Sequence, residues 1–128
     1  MNKEKLIKEA SKIISPRKLS EYADCSAVWS ALLTNMWNIY TWINIDTCCS
    51  LGFCAEHSAI SEMLKAGESE ISEIVAVCRE WILPPCGRCR ELMAQVNLNN
   101  LDVTHVHLED ETLVLKELLP HNWMKHNA

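Results

Sequence analysis

The order of the predicted secondary-structure elements constrains this fold more than any other feature of the sequence. Apolar periodicity and turn residues predict a helix before Pro16, a two-stranded hairpin, a helix that stops at Gly67, a buried strand, a short helix and a further strand. These elements occupy residues 3–14, 27–34 and 39–45, 55–65, 71–78, 86–96 and 102–108, with an irregular stretch over 46–53 and a last apolar segment over 112–119. Helices that alternate with strands in this way are typical of a layered α/β domain with a mixed sheet.

Length and composition fit one domain that covers residues 1–128. Hydrophobic residues make up 48% of the chain, which is enough for a packed core. A chain of 128 residues buries only about two thirds of the surface that its unfolded form exposes. Five tryptophans in so short a chain also predict apolar surface that needs a partner. We therefore expect a homo-oligomer.

The charge pattern argues against polynucleotides and membranes as partners. The formal net charge is −5, and the longest basic cluster, residues 3–12, is interleaved with Glu4 and Glu9 at helical spacing. No apolar run approaches the roughly 18 residues that a membrane span needs, and no apolar stretch follows the first charged residues. These observations predict a cytoplasmic protein that binds a small molecule rather than nucleic acid or a membrane.

Seven cysteines in a cytosolic chain indicate metal binding, catalysis or burial rather than disulfides. Cys54, Cys86 and Cys89 stand at the predicted starts of two helices, where backbone N–H groups stabilise thiolates. Three thiolates supply three of the four tetrahedral ligands of Zn²⁺ and leave one position open, which a catalytic zinc needs for water. Glu56 follows Cys54 by two residues, so it can lean over that position and move a proton without being a ligand. We expect one Zn²⁺ per chain.

The same cysteines allow two other interpretations. Cys86 and Cys89 could form half of a structural zinc site that His105 and His107 complete, or they could be a redox pair. Glu56 favours the catalytic interpretation, because a structural site has no use for a carboxylate at this position. The remaining cysteines are interpreted as packing residues: Cys25, Cys48, Cys49 and Cys78.

The motif Cys-x-Glu followed by Pro-Cys-x-x-Cys, here at 54–56 and 85–89, resembles the zinc deaminase signature in its three-cysteine form. Segments of similar sequence to cytidine deaminases follow one another in the family's order over nearly the whole chain: 31–34, 39–40, 44–46, 54–60, 85–90 and 117–120. The resemblance implies a three-layer α/β/α sandwich with a mixed five-stranded sheet, and a homotetramer or dimer. It also implies a zinc-dependent hydrolytic deaminase that converts the cytosine 4-amino group of a free nucleoside to uracil plus ammonia.

The resemblance further implies which residues contact the substrate. Asn44 would hold the 3′ side of the ribose, and Asp46 stands where the family's Asn-x-Glu motif has Glu. The carbonyl of Pro84 would face the amino group, and Ala55, inside the Cys-Ala-Glu motif, is placed at the substrate in the same way. Trp123 stands where cytidine deaminases carry a Phe that reaches a neighbouring subunit's site.

Four further positions depart from the family pattern and bear on the substrate. His57 replaces the usual Arg, Ser26 stands at about the place of a Phe, Trp29 replaces a small residue and Trp42 replaces Gly. Blasticidin S deaminase, a relative, shares the missing Phe and a similar run over 82–90, so blasticidin S is an alternative to cytidine or deoxycytidine. The chain has only three glycines and no Gly-rich phosphate loop, which favours an unphosphorylated nucleoside. A non-catalytic structural zinc-binding module is the remaining alternative.

Overall fold

A computed structural model describes residues 1–79 and 81–124 of the chain. The α-helices in this part are α1 (Lys3–Ser11), α2 (Ala55–Lys65), α3 (Gly87–Val96) and α4 (Asn100–Val103). The strands are β1 (Arg17–Ser20), β2 (Ala23–Thr34), β3 (Ile39–Thr47), β4 (Ile71–Val77), β5 (Ile82–Leu83), β6 (His105–His107) and β7 (Thr112–Val114). Two 3₁₀ helices span Cys48–Ser50 and Leu115–Leu118. Within these residues, no helix has both the length and the apolar character to cross a bilayer.

The strands form one mixed sheet. Five of them lie side by side across it, in the order β3, β2, β4, β6 and β7. Neighbouring strands are antiparallel except for β4 and β6, which run parallel. The four residues of β1 pair with the beginning of β2, and the two residues of β5 pair with the end of β4. The predicted α/β class with a mixed sheet is confirmed. In the part of the chain that is described, two short strands add to the expected five.

Helices cover both faces of the sheet, because successive residues of a strand point to opposite faces. On β2, Leu32 packs in the apolar cluster under α2 and α3, whereas Ala31 and Leu33 pack in the cluster under α1. Leu6 of α1 and Ile60 of α2 are fully buried in these two clusters. Full burial of such a side chain stabilises the fold by about 1.5–3 kcal/mol. Apolar packing on both faces therefore holds the predicted three layers together.

The helix predicted over residues 3–14 is shorter in the structure, where α1 ends at Ser11. The backbone N–H groups of Lys12, Ile13 and Ile14 each bond to the carbonyl three residues earlier, which is the tightened pattern of a helix end. The apolar periodicity continues through these residues although the regular helix does not. Periodicity alone therefore overestimates the length of α1.

The strand predicted over residues 102–108 is wrong at its beginning, since α4 occupies Asn100–Val103 and β6 covers only His105–His107. Asn100 explains the difference. Its Oδ1 accepts a hydrogen bond from the Ile71 N–H at 2.9 Å, and its Nδ2 donates to the Met93 carbonyl at 2.9 Å. This fully buried side chain ties the turn of α4 to both β4 and α3, and the pairing of β6 begins only after that turn.

The stretch predicted to be irregular over 46–53 starts as regular structure, because β3 extends to Thr47 and a 3₁₀ helix follows. Cys48 and Cys49 are exposed in that 3₁₀ helix, so the prediction that they are packing residues is wrong. The hydroxyl of Thr47 accepts hydrogen bonds from two later backbone N–H groups, which stabilises the turn without apolar packing. Cys25 is buried, as predicted.

Candidate active site

Two helix starts bring Cys54, Cys86 and Cys89 together. Cys54 and Cys86 have extended backbone conformations and immediately precede α2 and α3, and Cys89 lies in the first turn of α3. The Sγ atom of Cys86 is 3.4 Å from that of Cys54 and 3.5 Å from that of Cys89. These separations are far longer than the disulfide bond of about 2.05 Å, and all three cysteines are free. We call this group the sulfur cluster.

The sulfur cluster fits a tetrahedral metal ion. Two sulfurs bound to Zn²⁺ at about 2.3 Å lie about 3.8 Å apart in a tetrahedron, which is close to the observed separations. The three sulfurs all lie within 4.8 Å of one another, and the described residues contain no other such group of three His, Cys, Asp or Glu side chains. Thiolates suit Zn²⁺ rather than Mg²⁺ or Ca²⁺, and three of them leave one ligand position open.

The surroundings give the three thiols different proton affinities. Burial, together with the neighbouring Cys86 thiol, raises the pKa of Cys54 to about 11. Burial and the nearby Glu56 carboxylate also raise the pKa of Cys89. For Cys86, burial is outweighed by the backbone N–H of Cys89 and the thiol of Cys54, which hold its pKa below the ordinary value. Because a metal ion binds thiolates, metal binding here must displace protons.

The Glu56 carboxyl is buried beside the sulfur cluster, in the first turn of α2. Burial raises its pKa, and hydrogen bonds from its own backbone N–H and from the Cys89 thiol oppose this effect only in part. A carboxyl group whose pKa moves towards the working pH can accept a proton and donate it again within one reaction cycle. The position of Glu56 therefore suits a proton carrier.

An open cleft with a volume of about 500 Å³ lies over the sulfur cluster, within the range of small-molecule sites. The end of β3, the loop before α2 and the connection between β5 and α3 form most of its walls. Seven of the nine predicted site residues line it: Asn44, Asp46, Cys54, Ala55, Glu56, Pro84 and Cys86. Cys89 is buried next to them in the sulfur cluster, and Trp123 is not part of the cleft.

A backbone bridge holds the loop before α2 against β3. Ile45 and Phe53 exchange two hydrogen bonds, from the Ile45 N–H to the Phe53 carbonyl at 3.0 Å and in the reverse direction at 2.9 Å. Gly52 permits this approach, because a Cβ atom there would lie 1.9 Å from the Ile45 carbonyl oxygen. The bridge brings Asn44, the residue before Ile45, to the same cleft as Cys54, the residue after Phe53.

The amide group of Asn44 has a fixed orientation. Its Oδ1 accepts a hydrogen bond from the Val28 N–H at 2.8 Å, and because a backbone N–H only donates, the amide atom on this side must be oxygen. The Nδ2 group of Asn44 donates to Oδ2 of Asp46 at 3.1 Å. Asn44 therefore offers a donor to the cleft and Asp46 offers acceptors. A hydroxyl group, which accepts and donates, complements such a pair.

Strand β2 contributes Val28 to the cleft rather than Ser26, which the family comparison placed near the position of a pocket Phe. Ser26 is fully buried and its hydroxyl bonds to the segment after α1. Phe53, the chain's single Phe, also lines the cleft. Its position directly before Cys54 is the sequence feature from which this role could have been predicted. Further lining residues that sequence reasoning missed are Ile45, Thr47, Ser50, Gly52 and Leu83.

Three basic side chains lie next to the cysteines in the sequence, at positions 57, 88 and 90, and the structure gives them different surroundings. His57 packs against Phe53 with ring centroids 5.4 Å apart, and burial and the charge of Arg88 lower its pKa, so it is neutral near pH 7. The Arg90 guanidinium donates to two backbone carbonyls, one of them that of Leu118 at 3.0 Å. Arg88 lines the cleft, and within residues 1–79 and 81–124 it is the cation that does so.

The alternative in which His105 and His107 complete a zinc site is wrong for the described part of the chain, because neither histidine joins the sulfur cluster. His107 is 1% exposed, with Nε2 2.8 Å from Oε1 of Glu73 and Nδ1 2.8 Å from Oγ1 of Thr112. Burial lowers the pKa of His107 although Glu73 opposes this, so the neutral ring donates from Nε2–H and accepts at Nδ1. Val106 and His107 are neighbours on β6 and point to opposite faces of the sheet, and both are buried.

Trp123 lies away from the cleft of its own chain. Its backbone N–H donates to Oε1 of Glu91 on α3 at 2.9 Å, and its side chain is 59% exposed. With Glu91 and Gln95 it borders a separate shallow depression. Trp123 therefore does not complete the cleft within one chain.

No family model matches the chain. Over 69 residues, 54% of this chain, it is 38% identical to the cytidine deaminases of Aeromonas hydrophila and Aeromonas salmonicida, and this match spans 21% of the length of those relatives. The fold is similar to that of the cytidine deaminase from Mycobacterium leprae, with a TM-score of 0.78 and 25% identity over 94% of this chain and 99% of the other. By sequence and by fold, this chain is similar to the cytidine deaminases, and the family resemblance predicted from its motifs is confirmed.

Proposed function

We propose that this chain is a zinc-dependent hydrolytic deaminase of free cytosine nucleosides. It replaces the 4-amino group of the cytosine by a carbonyl oxygen, so that the products are the uracil nucleoside and ammonia. One observation carries the proposal: the sulfur cluster and the buried Glu56 carboxyl share a single open cleft. A purely structural metal site needs neither a cleft nor a carboxyl with a raised pKa beside its ligands. The similarity to proteins that are named cytidine deaminases supports the same reaction.

Cys54, Cys86 and Cys89 would hold one Zn²⁺ per chain. Zn²⁺ bound in this way supplies Lewis-acid activation of a water molecule. Glu56 takes a proton from the attacking water and delivers it to the amino group that leaves as ammonia. Burial raises the pKa of Glu56, which strengthens the carboxylate as the base that takes the proton and lets the carboxyl hold that proton until it is delivered. A ligand set of three thiolates also needs a compartment that keeps thiols reduced, so we place the reaction in the cytosol.

The cleft residues would orient the nucleoside over Glu56. The carbonyl of Pro84 accepts a hydrogen bond from the amino group, and Ala55 lies beneath the base. Asn44 and Asp46 bind a hydroxyl group on the 3′ side of the sugar, for which their donor and acceptor groups are already aligned. The remaining pocket wall includes the aliphatic Val28 and Leu83, the aromatic Phe53 and the cationic Arg88.

A free nucleoside suits the cleft better than a nucleotide or a polynucleotide. The net charge of the chain is −5, and Asp46 places a carboxylate in the cleft. Among the lining residues that the structure describes, Arg88 is the one Lys or Arg, whereas phosphate-backbone binding relies on several cationic side chains. Cytidine and deoxycytidine are the first candidates. Blasticidin S is the second, because the family's pocket Phe is absent.

The zinc-loaded protein is expected to deaminate cytidine or deoxycytidine at least about tenfold faster than cytidine monophosphate or cytosine-containing single-stranded DNA, because Asp46 repels phosphate. Ammonia release and the ultraviolet change on conversion to a uracil product measure this in parallel assays, with blasticidin S as a further substrate. Activity on blasticidin S alone would move the function to that antibiotic. DNA turnover that matches the best nucleoside would contradict the proposal. Inactivity on all substrates with zinc bound would favour a non-catalytic zinc module.

We also propose that the chain forms a homo-oligomer, a tetramer or a dimer, with Trp123 at a subunit boundary. Large apolar side chains are exposed on its surface: Tyr22, Met36, Trp37, Leu51, Trp81 and Trp123. Sedimentation at micromolar concentration should give a multiple of the 14.6 kDa chain mass, and Trp123→Ala should weaken substrate binding more than it lowers the melting temperature. A 14.6 kDa species in sedimentation would contradict the oligomer.

A further inference from the structure

Strand β2 carries a bulge directly opposite Asn44. The bulge is bounded by the ladder pairs Cys25–Ile45 and Trp29–Ile43. Between these pairs, residues 26–28 of β2 face Asn44 alone. A bulge of this kind leaves backbone groups without partners in the ladder, and the Val28 N–H bonds to the Asn44 side chain instead.

Ser26 holds the bulge in an unusual backbone conformation. Its φ is +65°, in the left-handed region that residues other than Gly, Asn and Asp seldom adopt. The Ser26 side chain is fully buried, and its Oγ accepts a hydrogen bond from the Ser15 N–H at 3.0 Å and donates to the Ile13 carbonyl at 3.4 Å. Both hydrogen-bonding functions of the hydroxyl are therefore used to tie the bulge to the segment that follows α1.

We propose that Ser26 is a positioning residue for sugar recognition, an inference that rests on the proposed function. The hydroxyl clamp of Ser26 maintains the bulge, the bulge aims the Val28 N–H at Asn44, and this hydrogen bond orients the Asn44 amide towards Asp46 and the cleft. Without the clamp, residue 26 is free to return to a negative φ, and the Val28 N–H no longer fixes the amide. The hydroxyl selectivity of the cleft then falls, although Ser26 itself touches no substrate.

The test compares cytidine with 2′,3′-dideoxycytidine, which lacks the sugar hydroxyl that Asn44 and Asp46 would bind. Ser26→Ala should lower kcat/KM for cytidine about tenfold, mainly through KM, and change that for the dideoxy substrate by no more than about twofold. Ser26→Gly should have a smaller effect in the same direction, because glycine adopts a positive φ without strain. If Ser26 had a merely structural role, its replacement would lower kcat/KM by the same factor for both substrates.

Ser30→Ala is the matched control. Ser30 lies on the same strand and is equally buried, but its hydroxyl has no hydrogen-bond partner among the described residues. This variant should keep the wild-type ratio of kcat/KM for cytidine to kcat/KM for 2′,3′-dideoxycytidine. In an Asn44→Ala background, Ser26→Ala should change nothing further, because the two residues act through one contact.

The outcomes separate this inference from the proposed function. If the wild-type protein deaminates neither nucleoside, the proposed function falls, and hydrogen exchange of the Val28 amide still tests the clamp, since Ser26→Ala must accelerate that exchange. The positioning role is overturned if the wild type is active and Ser26→Ala keeps the wild-type ratio of kcat/KM for cytidine to kcat/KM for 2′,3′-dideoxycytidine. An equal loss of kcat/KM for both substrates is one form of this result. Unchanged exchange at Val28 in Ser26→Ala overturns the positioning role as well.

Discussion

Replacement of Glu56 by glutamine is expected to lower turnover of the best nucleoside by about 10²–10⁴-fold while leaving the fold and the bound zinc unchanged. Glutamine is close to isosteric with glutamate, so it fills the same buried position, but its amide cannot carry a proton. The loss should be large because one carboxyl would serve two proton transfers in each cycle. Ammonia release, zinc content and melting temperature should be measured on the same preparation.

Glu62→Gln provides the matched control for this variant. Glu62 lies on the same helix α2 but borders a separate cavity with Trp42 and Ser61, outside the cleft over the sulfur cluster. Its replacement should leave turnover unchanged. A Glu56→Gln protein that keeps more than about a tenth of wild-type turnover would show that Glu56 is not the proton carrier, since general acid–base catalysis contributes far more than that.

The elements nearest the sulfur cluster were the most predictable, because their signals are local. The helix predicted over 55–65 coincides with α2, and the one predicted over 86–96 begins one residue early only because Cys86 is the residue that precedes α3. Gly67, predicted to end α2, has a φ of +89°, which suits glycine. The positions of three cysteines and one glutamate near these helix starts can be read directly from the sequence. Their convergence follows from the packing of both helices side by side on the same face of the sheet.

The parts that were missed depend on contacts between distant segments. The turn at Asn100 exists because its side chain bonds to the backbone of Ile71, 29 positions earlier. The bulge in β2 depends on Ser26, whose partners Ile13 and Ser15 belong to the segment after α1. No local propensity marks either residue, since asparagine and serine are common in ordinary loops. The position of Val28 in the cleft wall follows from the bulge and was unpredictable for the same reason.

Loss of zinc is the expected result for Cys86→Ser and for Cys89→Ser. A serine hydroxyl does not ionise near neutral pH, so each variant removes one of three anionic ligands. Changes outside the ligand shell already cost about 10–100-fold in metal affinity, and loss of a ligand should cost more. Zinc content per chain, measured after dialysis against a zinc buffer, tests this directly. In the wild type, zinc should also be lost as the pH falls, because the raised pKa of Cys54, about 11, makes protons strong competitors for its thiol.

Two variants outside the sulfur cluster test whether a loss of zinc is specific to the proposed ligands. Cys48→Ser changes an exposed cysteine that follows β3, and it should keep one zinc per chain. His105→Ala should keep it too, because His105 does not belong to the sulfur cluster. If both cluster variants held zinc as fully as the wild type, Cys86 and Cys89 could not be its ligands. If His105→Ala lost zinc while the cluster variants kept it, the metal would sit at a structural site on β6, and Glu56 would have no metal-activated water beside it to deprotonate.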